Sequence, residues 1–442
     1  MEKQIHKPKI GIGAKNWTII WVAGLAGQLC WNIENQWFNT FLYEKIIPDP
    51  DIIFWMVAIS AVVTTLSTFI NGTWSDRLGK RRQFIAIGYI MWGLTTILFG
   101  TTEFLPRGNY MLIATSVVFA DAIMSFFGSL GNDAGFNPWT TDITTPSNRG
   151  GLGAAIAVQP VIATILGTVV SGIIIQQLDY FGFFIIMGLM IAGVGVFSFF
   201  MVKESPTLKP NIDPKGFWHQ FKMAFNFKIF KNHPLLFWTL IIFAAFFISF
   251  NVYFPHILNY LIYSLHYSTG DAGLIMGVGL IIAIPATIIA SKFINRGQFP
   301  LVLTIAVLTN IAGLFVITIP HIVGLIAGIT LVGAGYMCVY QALMIWVKNL
   351  YPENQRAQLE GVRLFFYVCI PMVIGPAIGS LVVKAFGFPM VNEYGEAGFS
   401  ASNALFFVAA GMALLTFIPI YIAAKIQKRT IQPQVSQESI NQ

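Results

Sequence analysis

The amino-acid sequence predicts an all-α integral membrane protein with twelve spanning helices arranged as two pseudo-symmetric six-helix bundles. Three observations carry that prediction. Of 442 residues, 56% are hydrophobic and only 10% are charged, where a soluble domain carries about a quarter charged residues. Apolar stretches repeatedly exceed the ~18 residues that a spanning helix needs, and they lack the short alternation of a spanning β-barrel. A motif also recurs at the same place in each half of the chain.

Cutting the apolar runs at charges, prolines and polar clusters gives segments near 16–44, 52–74, 83–102, 110–138, 150–176 and 180–202. A second set follows near 235–263, 271–291, 300–319, 322–347, 358–384 and 401–426. The first segment is too long and too polar inside for a cleavable signal, so it reads as a retained helix. The sets define an N-terminal bundle over 1–202 and a C-terminal bundle over 235–429, with a linker over 203–234 and a flexible tail over 430–442. Inside the linker, "GFWHQFKMAFNFKIF" puts Trp218, Phe221 and Phe225 near one face and Lys215, Lys222 and Lys228 elsewhere. That pattern suits a helix lying in the membrane interface.

The recurring motif is "WTTDITTPSNRGGL" from Trp139 and "WVKNLYPENQRAQL" from Trp346. Both read Trp, two residues, Asp or Asn, six residues, Arg, two residues, Leu, and both fall between the fourth and fifth segments of their half. Two related bundles place a pathway between them with a site near the midplane, which is how transporters are built.

With a cytoplasmic N-terminus, every one of the 26 Lys and Arg residues falls on the cytoplasmic side except Lys45, Arg107 and Lys384. The positive-inside rule then places both termini in the cytoplasm, and the expected location is the cell membrane. It also accounts for the net charge of +7 without a nucleic-acid partner, since no basic soluble face is offered. Cys30, Cys338 and Cys369 lie in apolar segments with no paired spacing, so neither a disulfide framework nor a metal site is expected. Walker-type, HExxH and Gly-x-Ser-x-Gly motifs are absent from the sequence. The expectation is a monomeric carrier of a small molecule, with no enzyme activity and no cofactor.

"NGTWSDRLGKRRQF" concentrates charge at a turn between two spans: Gly72, Asp76, Arg77, Gly79, Lys80, Arg81 and Arg82 spell G-x-x-x-D-R-x-G-K-R-R. This resembles the signature loop of the major facilitator superfamily. In chemical terms Gly72 lets a neighbouring helix approach, Gly79 permits a tight turn, and Asp76 accepts from cytoplasmic Arg or Lys groups, forming a latch on one access state. Arg149 and Arg356 of the repeated motif, and Glu360 with Arg363 one turn apart in "EGVRLFF", complete the expected cytoplasmic gate. The counterpart loop "SKFINRGQF" keeps Lys292 and Arg296 but no acid, which implies a weaker latch.

"NDAGFNPWTTDITTPSNRGGLGA", "LYPENQRAQLEGVRLFF" and "GQLCWNIENQWF" resemble the glycoside/pentoside/hexuronide:cation symporters of the melibiose-carrier type and the related sucrose carriers. The resemblance implies a sugar or glycoside substrate and a cation-coordinating aspartate on the fourth helix, which Asp133 matches, 16 residues before Arg149. Sodium-using members also carry acids on the second helix. This chain has Ser60 and Thr64 there and no carboxylate, so the resemblance favours a proton over sodium.

Ionisable groups inside a membrane are costly and mark functional sites. Glu34 on the first helix and Asp121 and Asp133 on the fourth are therefore the candidates for coupling. Glu34 shares a face with Gly27, Trp31 and Phe38, beside a strip of Gln28, Asn32 and Asn35. Amides and a carboxylate beside an aromatic platform suit a sugar. Asp121 lies about 16 Å into its helix and needs another helix, water or a proton as partner. Asp133 lies about 18 Å further and about 120° round, so the two cannot share a site on a straight helix. Asn137, Asn251, Tyr253, His256, Tyr340 and Gln341 are further polar candidates for a substrate cavity, or else groups that hold helices together. Export of hydrophobic compounds is the alternative, and a membrane-embedded enzyme or receptor the more distant one.

Overall fold

The computed structural model describes residues 12–106, 108–144, 149–206, 208–211, 216–218, 230–351, 359 and 362–438. The chain folds into helices that coincide, segment by segment, with the twelve apolar stretches. Helix α1 is Ala14–Phe41, with α2 at Pro50–Leu78, α3 at Arg82–Phe104 and α4 at Tyr110–Asp142. The next two form one helical run, Arg149–Met201, of 53 residues. At 1.5 Å per residue that is about 80 Å, far beyond a bilayer. Asp179, with φ 60° and ψ 175°, breaks it into α5 (149–178) and α6 (180–201). The second half holds α7 Pro234–Ser264, α8 Thr269–Ile294, α9 Phe299–Val316, α10 Ile322–Asn349, α11 Val362–Phe386 and α12 Ala404–Arg429. Among the described residues ten helices, counting the broken run once, are long and apolar enough to cross a membrane. α1 is as long, but Gln28, Asn32, Glu34, Asn35 and Gln36 interrupt its apolar surface.

Within each half the neighbours correspond: α2 packs on α4 as α8 does on α10, and α3 on α4 as α9 does on α10. The halves meet along α5 with α8 and along α2 with α11. Small residues bring the first of these seams close. A Cβ on Gly172 would lie 2.6 Å from the Thr269 carbonyl oxygen, and one on Gly273 would lie 2.6 Å from that of Thr168. The repeated tryptophans anchor equivalent corners. Trp139 donates from Nε1 to the Lys203 carbonyl at 2.9 Å, and Trp346 stacks on Phe299 at 5.2 Å with the rings 3° apart.

Among the described residues, the one departure from an all-helical reading is a small hairpin between α11 and α12. β1 (Phe388–Val391) pairs antiparallel with β2 (Ala397–Ser400), with Phe388 opposite Ser400. Of the expected interfacial helix only Phe217 and Trp218 are helical among the described residues, and 219–229 lie outside them. The last helix runs on to Glu438, through much of the expected tail.

Candidate functional site

Two of the three intramembrane acids come together. Glu34 of α1 is 7% exposed and Asp121 of α4 is 2% exposed, and each lies within electrostatic reach of the other. Ser60 of α2 and Ser125 of α4 both donate to Glu34 Oε1 at 2.7 Å. Their hydroxyls are themselves 2.7 Å apart. Ser125 follows Asp121 by four residues, so one face of α4 presents both. Glu34 Oε2 and Asp121 Oδ1 have no hydrogen-bond partner among the described residues, and no Lys or Arg there pairs with either acid. The result is a buried site with two carboxyl groups and two hydroxyls, and no counter-charge among the described residues. The neighbour that Asp121 meets is Glu34, which the sequence offered both for coupling and for the sugar strip.

Asp133 stands apart, as the helical geometry demands. It sits half-buried in a π turn, Asn132–Phe136. Asn132 and Asn137 donate to its Oδ1 at 3.1 and 3.3 Å. Arg363 of the opposite bundle acts on it electrostatically.

On α1, Gln28, Trp31 and Asn35 are half-buried, whereas Asn32 is buried against Gly167. Trp31 packs on Trp92 at 4.8 Å, and Asn35 donates to the Trp31 carbonyl at 2.6 Å. In the second bundle Asn251 spends its amide on the Phe247 carbonyl at 2.8 Å, while Tyr253 and His256 are fully buried. Neither nitrogen of the His256 ring has a hydrogen-bond partner among the described residues. Tyr340 and Gln341 are half-buried, and Gln341 donates to Ser291 at 2.8 Å. The sequence reading passed over Gln36, Asn39 and Asn259, all buried. Gln36 accepts from Thr168 of α5 at 3.3 Å, and Asn259 of α7 donates to the Asn39 carbonyl at 3.3 Å. Their signal was available as further amides beside the Glu34 strip.

At the basic end, Arg81 is buried and gathers the loop around itself. It contacts Asp76 at 2.6 Å, Asp142 at 2.9 Å and Ser75 at 2.7 Å, and its backbone N–H donates to Glu204. Burial works against its charge, but Asp76 and Asp142 outweigh burial and hold the guanidinium above its ordinary value. Asp76 thus accepts as expected, but its partner lies in the same loop, and these bonds reach the first bundle and the start of the linker rather than the second bundle. Gly79 caps α2 with φ 61°, and a Cβ there would lie 2.8 Å from Pro210 N. The expectation for Gly72 finds no support among the described residues: none of their atoms lies within 4 Å of a Cβ at that position. Arg77 is half-buried and Lys80 is exposed. Arg149 begins α5, but its side chain lies outside the described residues, as do Arg356 and Glu360. Arg363 donates to Met344 Sδ at 3.2 Å.

The opposite end ties bundle to bundle. Lys45, its side chain 6% exposed, lies 2.7 Å from both Asp179 of the first bundle and Glu393 of the hairpin. Burial pulls its ammonium down, but the two carboxylates more than offset that and hold it above the ordinary lysine value. Asn392 donates to the Ile46 carbonyl at 3.1 Å, and Phe399 N–H to that of Pro48 at 3.1 Å. Asp51 pairs with Lys384, and Tyr263 donates to Glu44 at 3.1 Å. By sequence, Lys45 and Lys384 were only the exceptions to a charge rule.

The sequence profile of the Major Facilitator Superfamily matches residues 20–367. A search of curated proteins finds no match. Among solved structures, a mutant of the nucleoside transporter NupG is similar with a TM-score of 0.72 at 13% identity, over 92% of this chain and 99% of that one. A bacterial homologue of the iron transporter ferroportin, in an inward-facing state, gives 0.67 at 13% identity, over 93% and 98%. The xylose transporter XylE from E. coli, partially occluded and inward open, gives 0.66 at 14% identity, over 92% and 98%. At these identities the likeness is one of fold.

Proposed function

The chain belongs to the major facilitator superfamily, and from that premise we propose that it is a proton-coupled secondary transporter of a sugar or glycoside, working by alternating access. The observation that carries the reading is the Glu34–Asp121 pair with Ser60 and Ser125. Two carboxylates in a buried site repel, and one proton between them removes the repulsion. The two serines hold one Glu34 oxygen and leave its other oxygen for the proton. Water reaching the pair would take that proton. Coupling follows when access to water alternates between the two membrane faces.

The basic end is then cytoplasmic and the hairpin end external, so the inter-bundle bonds around Lys45 close the outside. Gln28, Trp31 and Asn35, the accessible part of the α1 strip, offer amides and an aromatic face to a sugar ring. The resemblance to the glycoside/pentoside/hexuronide:cation symporters supports the same substrate class. Asp133, facing Arg363 across the bundles, acts on the balance between access states. A second reading, export of hydrophobic compounds, is favoured by the aromatic residues of the second bundle.

Purified protein in liposomes, given a panel of sugars under an imposed pH or sodium gradient, tests the proposal. A pH gradient should drive uptake, and Glu34→Gln should abolish accumulation while sparing counterflow exchange. If neither gradient drives uptake of any glycoside, the symporter reading fails. Outward movement of apolar dyes would put the exporter in its place.

A further inference from the structure

The two bundles answer the bases at their charged end differently. In the first, Arg81 meets the carboxylates of Asp76 and Asp142, and Glu204 accepts from its backbone N–H. The corresponding turn of the second bundle, between α8 and α9, keeps the left-handed glycine: Gly297 has φ 74° where Gly79 has 61°. It also keeps Lys292 and Arg296, but the acids are gone, and the repeated motif reads Asn349 where its first copy has Asp142. The end of α12 adds Lys425, Lys428 and Arg429 at the level of this turn, because Gln427 donates to the Gly297 carbonyl at 3.2 Å. All five cations are exposed, and none forms an ion pair among the described residues. The sequence holds no acid between Asp271 and Glu353 or between Glu396 and Glu438.

Helical geometry sets the direction of the α12 cations. Ile420, Ala423 and Gln427 follow one another at spacings of three and four, so they share a face, and the first two are buried in one apolar cluster with Ile294 and Phe299. That face is fastened to the α8–α9 turn. Lys425, Lys428 and Arg429 lie on the opposite face, which also carries the exposed Ile418 and Tyr421. The outward face of α12 is therefore apolar along the span and cationic where the span ends at Arg429. A tyrosine one turn before such bases is placed where headgroups begin.

This is the charge and depth profile of an acidic lipid. A phosphate at the end of α12 meets several cations while its acyl chains lie along Ile418 and Tyr421. A soluble anion gains only the charges, which salt screens over about 10 Å. A headgroup that carries its own cation gains little from more. We propose that the end of α12, flanked by the α8–α9 turn, binds the headgroup of an anionic phospholipid. The inference is independent of what the protein carries and of what drives it.

Native mass spectrometry of the purified full chain in detergent tests this without transport. The probes are phosphatidylglycerol, phosphatidylcholine with the same acyl chains, and glycerol 1-phosphate as the headgroup without a lipid. Phosphatidylglycerol should bind about a hundredfold tighter than phosphatidylcholine, and the triple change Lys425→Gln, Lys428→Gln, Arg429→Gln should remove that preference. The charge-conserving set Lys425→Arg, Lys428→Arg, Arg429→Lys should keep it and serves as the folding control. Neutralising three exposed bases elsewhere, Lys15→Gln, Lys203→Gln and Lys209→Gln, should also leave it intact. Equal binding of the two lipids to the parent protein, or an unchanged preference in the α12 triple variant, would overturn the proposal. So would an equal loss in the distant triple variant, which would mean unspecific attraction, or equally tight binding of glycerol 1-phosphate, which would mean a site for a soluble anion.

Discussion

The two bundles share a sequence repeat and a pattern of helix contacts, yet they carry different chemistry. In the first, α1 and α4 hold Glu34, Asp121 and Asp133. In the second, α7, α9, α10 and α12 contain no acid, and α8 has only Asp271 in its first turn. Stacked rings occupy the corresponding interior. Pseudo-symmetry has thus duplicated the scaffold, which makes rocking about the α5–α8 and α2–α11 seams possible, without duplicating the site. In the proposed scheme, a charge that is gained and lost lies on one side of a cleft. The second bundle offers stacked rings without such a charge.

The sharpest break in that contrast comes from exchanging its two losses. Asp121→Asn should reduce pH-driven accumulation to simple equilibration, because Glu34 then no longer faces the second carboxylate whose repulsion makes it take up a proton. Tyr367→Leu should leave the accumulation ratio intact. If Tyr367→Leu uncouples transport, the division of labour between the bundles is false. Next in size, Lys45→Ala leaves Asp179 and Glu393 unneutralised. Since those partners are 54% and 41% exposed, the cost should be about 2 kcal/mol, below that of a fully buried pair. Spin labels at Thr101 and Val391 should then report longer distances across the hairpin end. An unchanged distribution would mean that the hairpin's backbone bonds close that end alone.

A smaller contrast separates two glycines of one loop. Gly79→Ala forces a side chain into a left-handed residue beside Pro210 and should cost about 1–2 kcal/mol. Gly72→Ala meets no atom of the described residues within 4 Å and should stay within about 0.5 kcal/mol. Melting in detergent distinguishes them, and equal losses would contradict these surroundings of Gly72. The smallest effect concerns Glu44, whose carboxyl is pushed above its usual value by burial, with the Tyr263 hydroxyl and Lys45 acting in the opposite direction. A raised acid stabilises the fold fully below its unfolded value of about 4.3 and loses that contribution as pH rises through the folded value. Glu44→Gln should therefore flatten the acid side of a melting-temperature profile against pH.

How much of this was legible depended on the distance over which each feature is encoded. Spans are local properties, so all twelve were readable, including the pair that the structure joins through Asp179. The Gly79 turn was readable because a left-handed residue after a helix asks for glycine. The smallness of Gly72 found no support because spacing within a loop does not say which helix lies opposite. The hairpin at 388–400 escaped because strands of four residues leave almost no periodic signal.

By itself, then, the sequence determined the membrane environment, the two-bundle plan and the identity of the acids that the bilayer penalises, since each follows from hydropathy and spacing along one chain. Only the tertiary structure decided that Glu34 meets Asp121 rather than Asp133, and that Lys45 joins the bundles. It also decided that Gln427 fixes α12 to the α8–α9 turn. Such pairings depend on how helices rotate and cross, and that is settled by packing among segments far apart in the chain.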